Sequence, residues 1–365
     1  MPSRSRGQQV GGYERRRRRE LRRAAERDWA DGLGVDALLA IFHRLGHADV
    51  LLGAADQVCR SWRRAAREEP LLWRRIAMVG HEGIARRLNR GGMACEAVRR
   101  SAGQCESFYG AYASDDGFLV YLSEQAPCLK SLRLISCCGV TNEGVAEAVK
   151  EFPLLEELEL SLCDNVAGGF QVFEFVGEVC PQMKYFRLNR SRFDYTEWNK
   201  NKDVRGIATM HGLHSLQLFS NHLTDEGLET ILNNCPHLES LDMRHCFNIN
   251  MDETLLLKCA RIKTLRRPND PTDDYDHEVQ SPIRPYIPQE PDWYSDCCYS
   301  CHTRHYDSFV CSRKKNYDSD DSGDDSDFYG KTWDEPDFYD EPSRYENDLD
   351  KYEKMLPFNV RTFLK

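Results

Sequence analysis

One short pattern of apolar and polar positions recurs along the chain. Leu129–Leu134 reads "LKSLRL". The same Leu-x-x-Leu-x-Leu frame returns as "LEELEL" from Leu155, "MKYFRL" from Met183, "LHSLQL" from Leu213 and "LESLDM" from Leu238. A degraded copy, "IKTLRR", starts at Ile262, and "CESFYG" from Cys105 reads as a divergent first copy. Successive copies start 24 to 30 residues apart. Alternation with period two predicts a short strand with one buried face, and the near-constant spacing predicts a stack of repeats. A helical half follows each strand, as in "VTNEGVAEAVKEF" and "LTDEGLETILNNC". There Leu228, Ile231 and Leu232 share a helical face, and Thr224 or Asp225 stands where a cap belongs.

Small side chains recur with the same period. Cys137, Cys163, Ser191, Asn221 and Cys246 lie three positions past each strand, and Cys180, Cys235 and Cys259 close the helices. Columns that recur because the repeat recurs are read as small buried groups rather than disulfides or metal ligands. The odd total of 15 cysteines also fits a closed disulfide framework poorly. The x positions of each strand face away from the core, so target contact is expected at Arg133, Glu157, Glu159, Tyr185, Arg187, Gln217, Phe219, Asp242 and Arg244. The third repeat carries the insertion "SRFDYTEWNKNKD", which places Phe193, Tyr195 and Trp198 next in line.

The apolar spacing upstream is different. Val35, Leu38, Leu39 and Phe42 form a helical stripe, and further short apolar segments follow at Val58 and Trp62 and at Leu71, Leu72 and Trp73. A module of about 50 residues with apolar faces in several directions buries too little alone, so its spare faces are expected to dock.

The segment resembles an F-box: an opening Leu-x-x-Asp at Leu33 and Asp36, a Leu/Ile/Phe helix, "VCRSWRRAA" and a closing "LLW". Together with cysteine-type leucine-rich repeats, it is similar to F-box/LRR-repeat proteins, especially a plant subgroup. The stretches "SAGQ", "SLRLISC", "FPLLEELELS", "GIATMHGL" and "NCPHLESLDMRHCFN" carry that likeness. The resemblance implies an α/β solenoid: a small all-helical F-box, then a curved leucine-rich-repeat horseshoe between disordered tails. It also implies a non-catalytic substrate-recognition subunit of an SCF-type cullin–RING E3 ubiquitin ligase. Partners would be a Skp-type adaptor, through it the cullin and RING subunits, and a protein target. Adaptor contact would fall to Leu33, Val35, Leu38, Leu39, Phe42, Val58, Trp62 and Trp73. The family usually has proline where this chain has Gly34. Glycine leaves the helix start loose, so weaker or more salt-sensitive adaptor binding is expected. The alternative function is a leucine-rich-repeat scaffold or inhibitor without ligase association.

The expected domains are a basic arm at 1–27, the F-box at 28–78, a connecting helical segment at 79–103, about six repeats at 104–267, and a linker with an acidic tail at 268–365. Charge separates the two ends. Residues 1–27 hold ten Arg against three Glu, and residues 318–350 hold fourteen acidic groups against two basic ones. Both ends read as solvated and disordered. No aromatic residues interleave the arginines in a way that suggests base stacking, so nucleic acid is not expected as a partner.

No secretory signal and no apolar run of about 20 residues appears, which points to cytoplasm or nucleus and away from a membrane. No phosphate-binding glycine loop, nucleophile elbow or His-Glu-x-x-His occurs, so neither catalysis nor a cofactor is expected. Cys298, Cys301, His305 and Cys311 form a weak candidate zinc cluster. Their spacing matches no common finger, and a solvent-exposed, oxidation-prone linker is the favoured reading.

Overall fold

Each strand that the repeat predicts lies beside the strand before it in sequence. The structure, a computed structural model, describes residues 33–53, 58–80, 82–166 and 170–285. The N-terminal module contains α1 (Val35–Leu45), α2 (His47–Leu51), α3 (Arg60–Glu68), a 3-10 turn (Pro70–Trp73) and β1 (Arg75–Met78). Helices α4 (Glu82–Arg87) and α5 (Arg90–Arg100) connect it to the repeats. There strands β2 (Ser107–Ala111), β3 (Ser131–Ile135), β4 (Glu157–Ser161) and β5 (Tyr185–Asn189) are followed by shorter strands β6 (Ser215–Gln217), β7 (Ser240–Asp242) and β8 (Thr264–Arg266). Helices α6 (Asp116–Gln125), α7 (Asn142–Val149), α8 (Phe170–Val179), α9 (Val204–Ile207), α10 (Asp225–Asn234) and α11 (Glu253–Cys259) fill the connections.

Among the described residues, eight strands form one parallel sheet in the order β1 to β8. The sheet therefore gains a strand that the Leu-x-x-Leu-x-Leu frame does not announce. Arg75–Met78, at the end of the N-terminal module, pairs in register with Ser107–Gly110. Leu132, Leu158, Phe186, Leu216 and Leu241 share one register row, and all are buried against the helices. One hydrophobic core runs from Leu38 in α1 to Ile262 before β8. That continuity is what a repeat needs, because a single unit cannot bury its own apolar face.

Three devices lock adjacent repeats. First, the backbone turns into the left-handed region one residue past β2, β3 and β4, at Tyr112, Ser136 and Leu162, and three residues past β6 and β7, at Ser220 and His245. None of these is glycine, so each costs backbone strain. The turn returns a hydrogen bond to the next repeat, as in Ser136 N–H to the Ser161 carbonyl at 2.9 Å and Ser220 N–H to Arg244 at 3.0 Å. Second, helix starts are tied across repeats. Asp116 accepts from the Thr141 N–H and hydroxyl, each at 2.8 Å, while Asn201 accepts from Thr224 N–H and Asp225 from Asn250 N–H. Thr224 is the cap residue of α10, yet its side chain turns to Asn201 instead of capping its own helix.

Third, the thiol columns close on backbone carbonyls. Cys137 donates to Ile135, Cys163 to Ser161 and Cys246 to Leu218, while Cys180 and Cys235 donate weakly to Phe152 and Met210. All are free and buried, and burial pushes Cys180 and Cys235 up to about 11. These are small packing groups, as the periodicity requires.

The junction between module and repeats is built around a buried cation. Arg90, 2% exposed, donates Nε–H to the Ala111 carbonyl at 3.0 Å and Nη2–H to the carbonyls of Met78 and Val79. It thereby ties the end of β1 to the end of β2. A Cβ at Gly80 would stand 2.6 Å from the Arg90 guanidinium, so glycine leaves room for this contact.

After β8 the chain turns back across the open face of the sheet. Tyr275 lies flat on Phe219, His277 approaches Glu159 of β4, and Ile283 forms a parallel bridge with Asp194 in the third-repeat insertion. The stretch read from sequence as linker therefore includes a strap, residues 271–285.

Candidate functional site

The open face of the sheet carries a continuous polar ladder. Arg133, Glu159, Arg187, Gln217 and Asp242 occupy one register row on β3 to β7. Alternate side chains of a strand project to the same face, so this row is dictated by the strand itself. Arg133 Nε donates to Glu159 Oε2 at 2.6 Å, and Arg187 Nη1 bridges Glu157 at 2.9 Å and Glu159 at 3.0 Å. Asn189 links Ser161 to Gln217, and Gln217 Nε2 donates to Asp242 Oδ2 at 2.9 Å. Arg244 completes the line with Asp242 at 2.8 Å.

Burial alone would raise the Glu159 carboxyl. The approach of His277, the charge and hydrogen bond of Arg133 and the Ser161 hydroxyl outweigh it and hold the group at about 2. Glu159 is thus a buried anion satisfied from several sides, the condition under which such a charge is tolerated. Arg244 is held above the usual guanidinium range mainly by its hydrogen bond to Asp242.

The strap rests on the C-terminal end of this ladder. Asp274 joins two arginines, Arg244 Nη1 at 2.5 Å and Arg266 Nη2 at 2.6 Å. The Tyr275 ring stacks on Phe219 with centroids 3.8 Å apart and planes 9° apart, and the Arg244 guanidinium carbon is 5.6 Å from its centroid. Phe219 also stacks on His245, which meets Phe247, and Phe247 meets Phe193 and Tyr195. The rings form a chain from the strap into the insertion. A cleft of about 360 Å³ remains between strap and ladder. A wider opening of about 980 Å³ separates the strap from Tyr109, Tyr112 and the loops after β3 and β4.

The sequence-predicted face is thus brought together, with three qualifications. Phe219 is fully buried beneath Tyr275 and is not open to a partner. Glu159 and Arg244 are 2% and 3% exposed. Tyr185 is 42% exposed and lies at the face's open margin. In the insertion, Phe193 packs inward, Tyr195 is 41% exposed, and Trp198 projects at 86%. Tyr275 and Asp274 were missed by sequence reasoning. Their only signal was a tyrosine among aspartates in "DDYDH", which has no period to follow.

The N-terminal module divides its predicted residues in three. Leu38, Phe42 and Trp73 are buried in the core. Phe42 meets Trp62 edge-on at 5.4 Å, and Trp73 Nε1–H donates to the Ala66 carbonyl at 3.1 Å, so these side chains hold the helices together. Leu33, Leu39 and Trp62 pack partly against the core. Val35 and Val58 are exposed, as are Leu45 and Leu71, which the sequence reading did not select. His47 is buried in the same module. Its Nδ1 accepts from Ala77 N–H at 3.2 Å and its Nε2–H donates to the Leu72 carbonyl at 2.9 Å, a neutral tautomer assigned from these partners. Burial, the largest influence, lowers its pKa.

The F-box-like family model matches residues 35–78, the module just described, and a leucine-rich-repeat model matches 210–232. F-box protein SKIP19 of Arabidopsis thaliana is 39% identical over 262 residues, spanning 71% of this chain and 83% of that protein. The chain belongs to the F-box/LRR-repeat family. Putative F-box/LRR-repeat protein 23 of the same plant is 38% identical over 251 residues, covering 68% of this chain and 55% of its own length. Putative F-box/LRR-repeat protein 22 is 38% identical over 268 residues, covering 81% of its length. F-box/LRR proteins are in general non-catalytic subunits that select targets for ubiquitin ligases.

The F-box is thus the module from α1 to β1, and the leucine-rich repeats supply the ladder. Among the described residues no cluster of His, Cys, Asp and Glu could hold a metal, and no helix is long and apolar enough to cross a membrane. Cys298, Cys301, His305 and Cys311, the arginine arm and the acidic tail lie outside the described residues.

Proposed function

We propose that the chain is the target-selecting subunit of an SCF-type cullin–RING ubiquitin ligase, acting in cytoplasm or nucleus. The match of residues 35–78 to the F-box is the observation that carries this reading. The module docks on a Skp-type adaptor through apolar side chains left outside its core: Val35 on α1, Val58 before α3 and Leu71 in the 3-10 turn. Half-buried Leu39 and Trp62 lie beneath this contact. The repeats hold a target protein on their ladder face.

The chain performs no bond chemistry in this role. It raises the effective concentration of a target lysine beside the ubiquitin-loaded conjugating enzyme. Arg90 supports that function by fixing the F-box strand to the first repeat strand, so docking at one end orients the other. The test is capture of a purified Skp-type adaptor by the full-length protein at physiological salt. Capture is expected, with loss of at least about tenfold in affinity for Leu71→Asp combined with Val35→Asp, because burying either unpaired carboxylate is costly. Folded wild-type protein that captures no adaptor sinks the ligase reading and leaves a repeat scaffold.

A further inference from the structure

We propose that the strap is a built-in occupant of the target site, and that the ladder face reads extended protein segments in which an aromatic ring sits beside aspartate or glutamate. This deepens the receptor reading above and rests on it.

The strap's attachments define what the surface accepts. Arg244 and Arg266 stand together at the C-terminal end of the face, where Asp242 engages Arg244. Asp274 of the strap supplies the second anion and joins both guanidinium groups. Beside it, Tyr275 lies flat on the ring of Phe219. The Tyr275 hydroxyl is buried without a hydrogen-bond partner, so the site holds the ring by its face and makes no use of the oxygen. Phenylalanine should therefore serve as well as tyrosine. The required ligand pattern is an acid that spans two arginines, followed by a flat ring on Phe219.

The strap is also attached in a way that allows exchange. Its backbone is pinned at the ends: the Pro271 carbonyl accepts from Arg244 Nη1 at 3.0 Å, and Ile283 exchanges backbone hydrogen bonds with Phe193 and Tyr195 at 2.9 and 3.0 Å. Between them, among the described residues, the one backbone–backbone bond of residues 273–281 is the local Tyr275 N–H to Thr272. Side chains alone hold the middle to the sheet. Asp274 is 53% exposed, and the contact from His277 to Glu159 is a loose 3.9 Å. A target segment offering the same acid and ring can replace these contacts without opening a backbone ladder.

A competitor tethered within the same chain acts at high effective concentration and lowers the apparent affinity for a ligand in trans. The test uses the full-length protein and a fluorescent peptide with the sequence of residues 270–280. Its binding to wild type is compared with binding to Asp274→Ala/Tyr275→Ala. The variant is expected to bind the peptide about tenfold tighter or more. Binding should persist when phenylalanine replaces the peptide's Tyr275 equivalent and disappear when alanine does. If the double variant melts early, Asp274→Asn gives the same comparison with less disturbance.

A folded strap variant that binds the peptide no tighter than wild type overturns the proposal. So does tight binding of the alanine-bearing peptide. Adaptor capture, measured in parallel, separates the two readings. Capture without peptide binding sinks the strap proposal alone. Peptide binding without capture sinks the ligase reading and leaves the site standing.

Discussion

Gly34 precedes α1 with φ −59° and ψ 155°, and it offers no side-chain cap. Its φ is one that proline adopts without strain, and a Cβ there meets nothing within 4 Å. Gly34→Pro is therefore expected to stabilise the protein by about 0.4–1 kcal/mol, mainly by restricting the unfolded chain. Urea unfolding gives the value, and adaptor affinity should rise with it if the loose helix start weakens docking.

Two buried histidines set a pH dependence. Burial lowers His47, and burial followed by the charge of Arg190 lowers His222 to about 4. Both are neutral when folded and bind a proton more readily when unfolded, where the ordinary value is about 6.5. Stability is therefore full above pH 6.5 and falls as pH drops towards 4. Each histidine contributes at most roughly 1.4 kcal/mol per pH unit. Thermal unfolding across that range checks it: His222→Asn should flatten the slope, and an unchanged slope would discount this group.

At the scale of elements, the repeat was legible because each strand's buried face must alternate with period two. That constraint shows directly in Leu132 and Leu134 or Leu158 and Leu160, and it also placed Arg133 and Glu159 on the opposite face. β1 escaped notice because "RIAM" is too short to repeat the frame, although Ile76 and Met78 do alternate with Arg75 and Ala77. Periodicity tells that Leu38 and Phe42 are covered, but not by what; the covering is the one core that runs on into the repeats. The strap was hidden for a different reason. Its hold depends on Asp274 and Tyr275 meeting residues far away in sequence, and no local pattern marks such a pairing.

Helix packing offers a sharper check on the repeat stack. A Cβ on Gly206 in α9 would lie 2.5 Å from Phe173 Cβ and 2.6 Å from the Glu174 nitrogen in α8. Gly206→Ala must push these helices apart and should cost about 1–3 kcal/mol in unfolding free energy. A neutral result in denaturant melts would contradict the close approach of α8 and α9.

At the scale of the molecule, Arg90 is buried where the F-box strand meets the first repeat strand. Arg90→Met would leave the carbonyls of Met78, Val79 and Ala111 without its three donors. The expected loss is about 2–4 kcal/mol, the cost of leaving the buried carbonyls of Met78 and Ala111 without this donor. Calorimetry should show a lower melting temperature.

On the proposed function, labour is divided: the F-box grips an adaptor while the ladder face stays available. Hydrogen–deuterium exchange of the full-length protein, with and without saturating Skp-type adaptor, tests this most directly. New protection is expected at residues 35–45 and 58–73 alone, with strands β3 to β8 and the strap unchanged. Protection spread over the ladder, or none in the F-box despite binding, would contradict it.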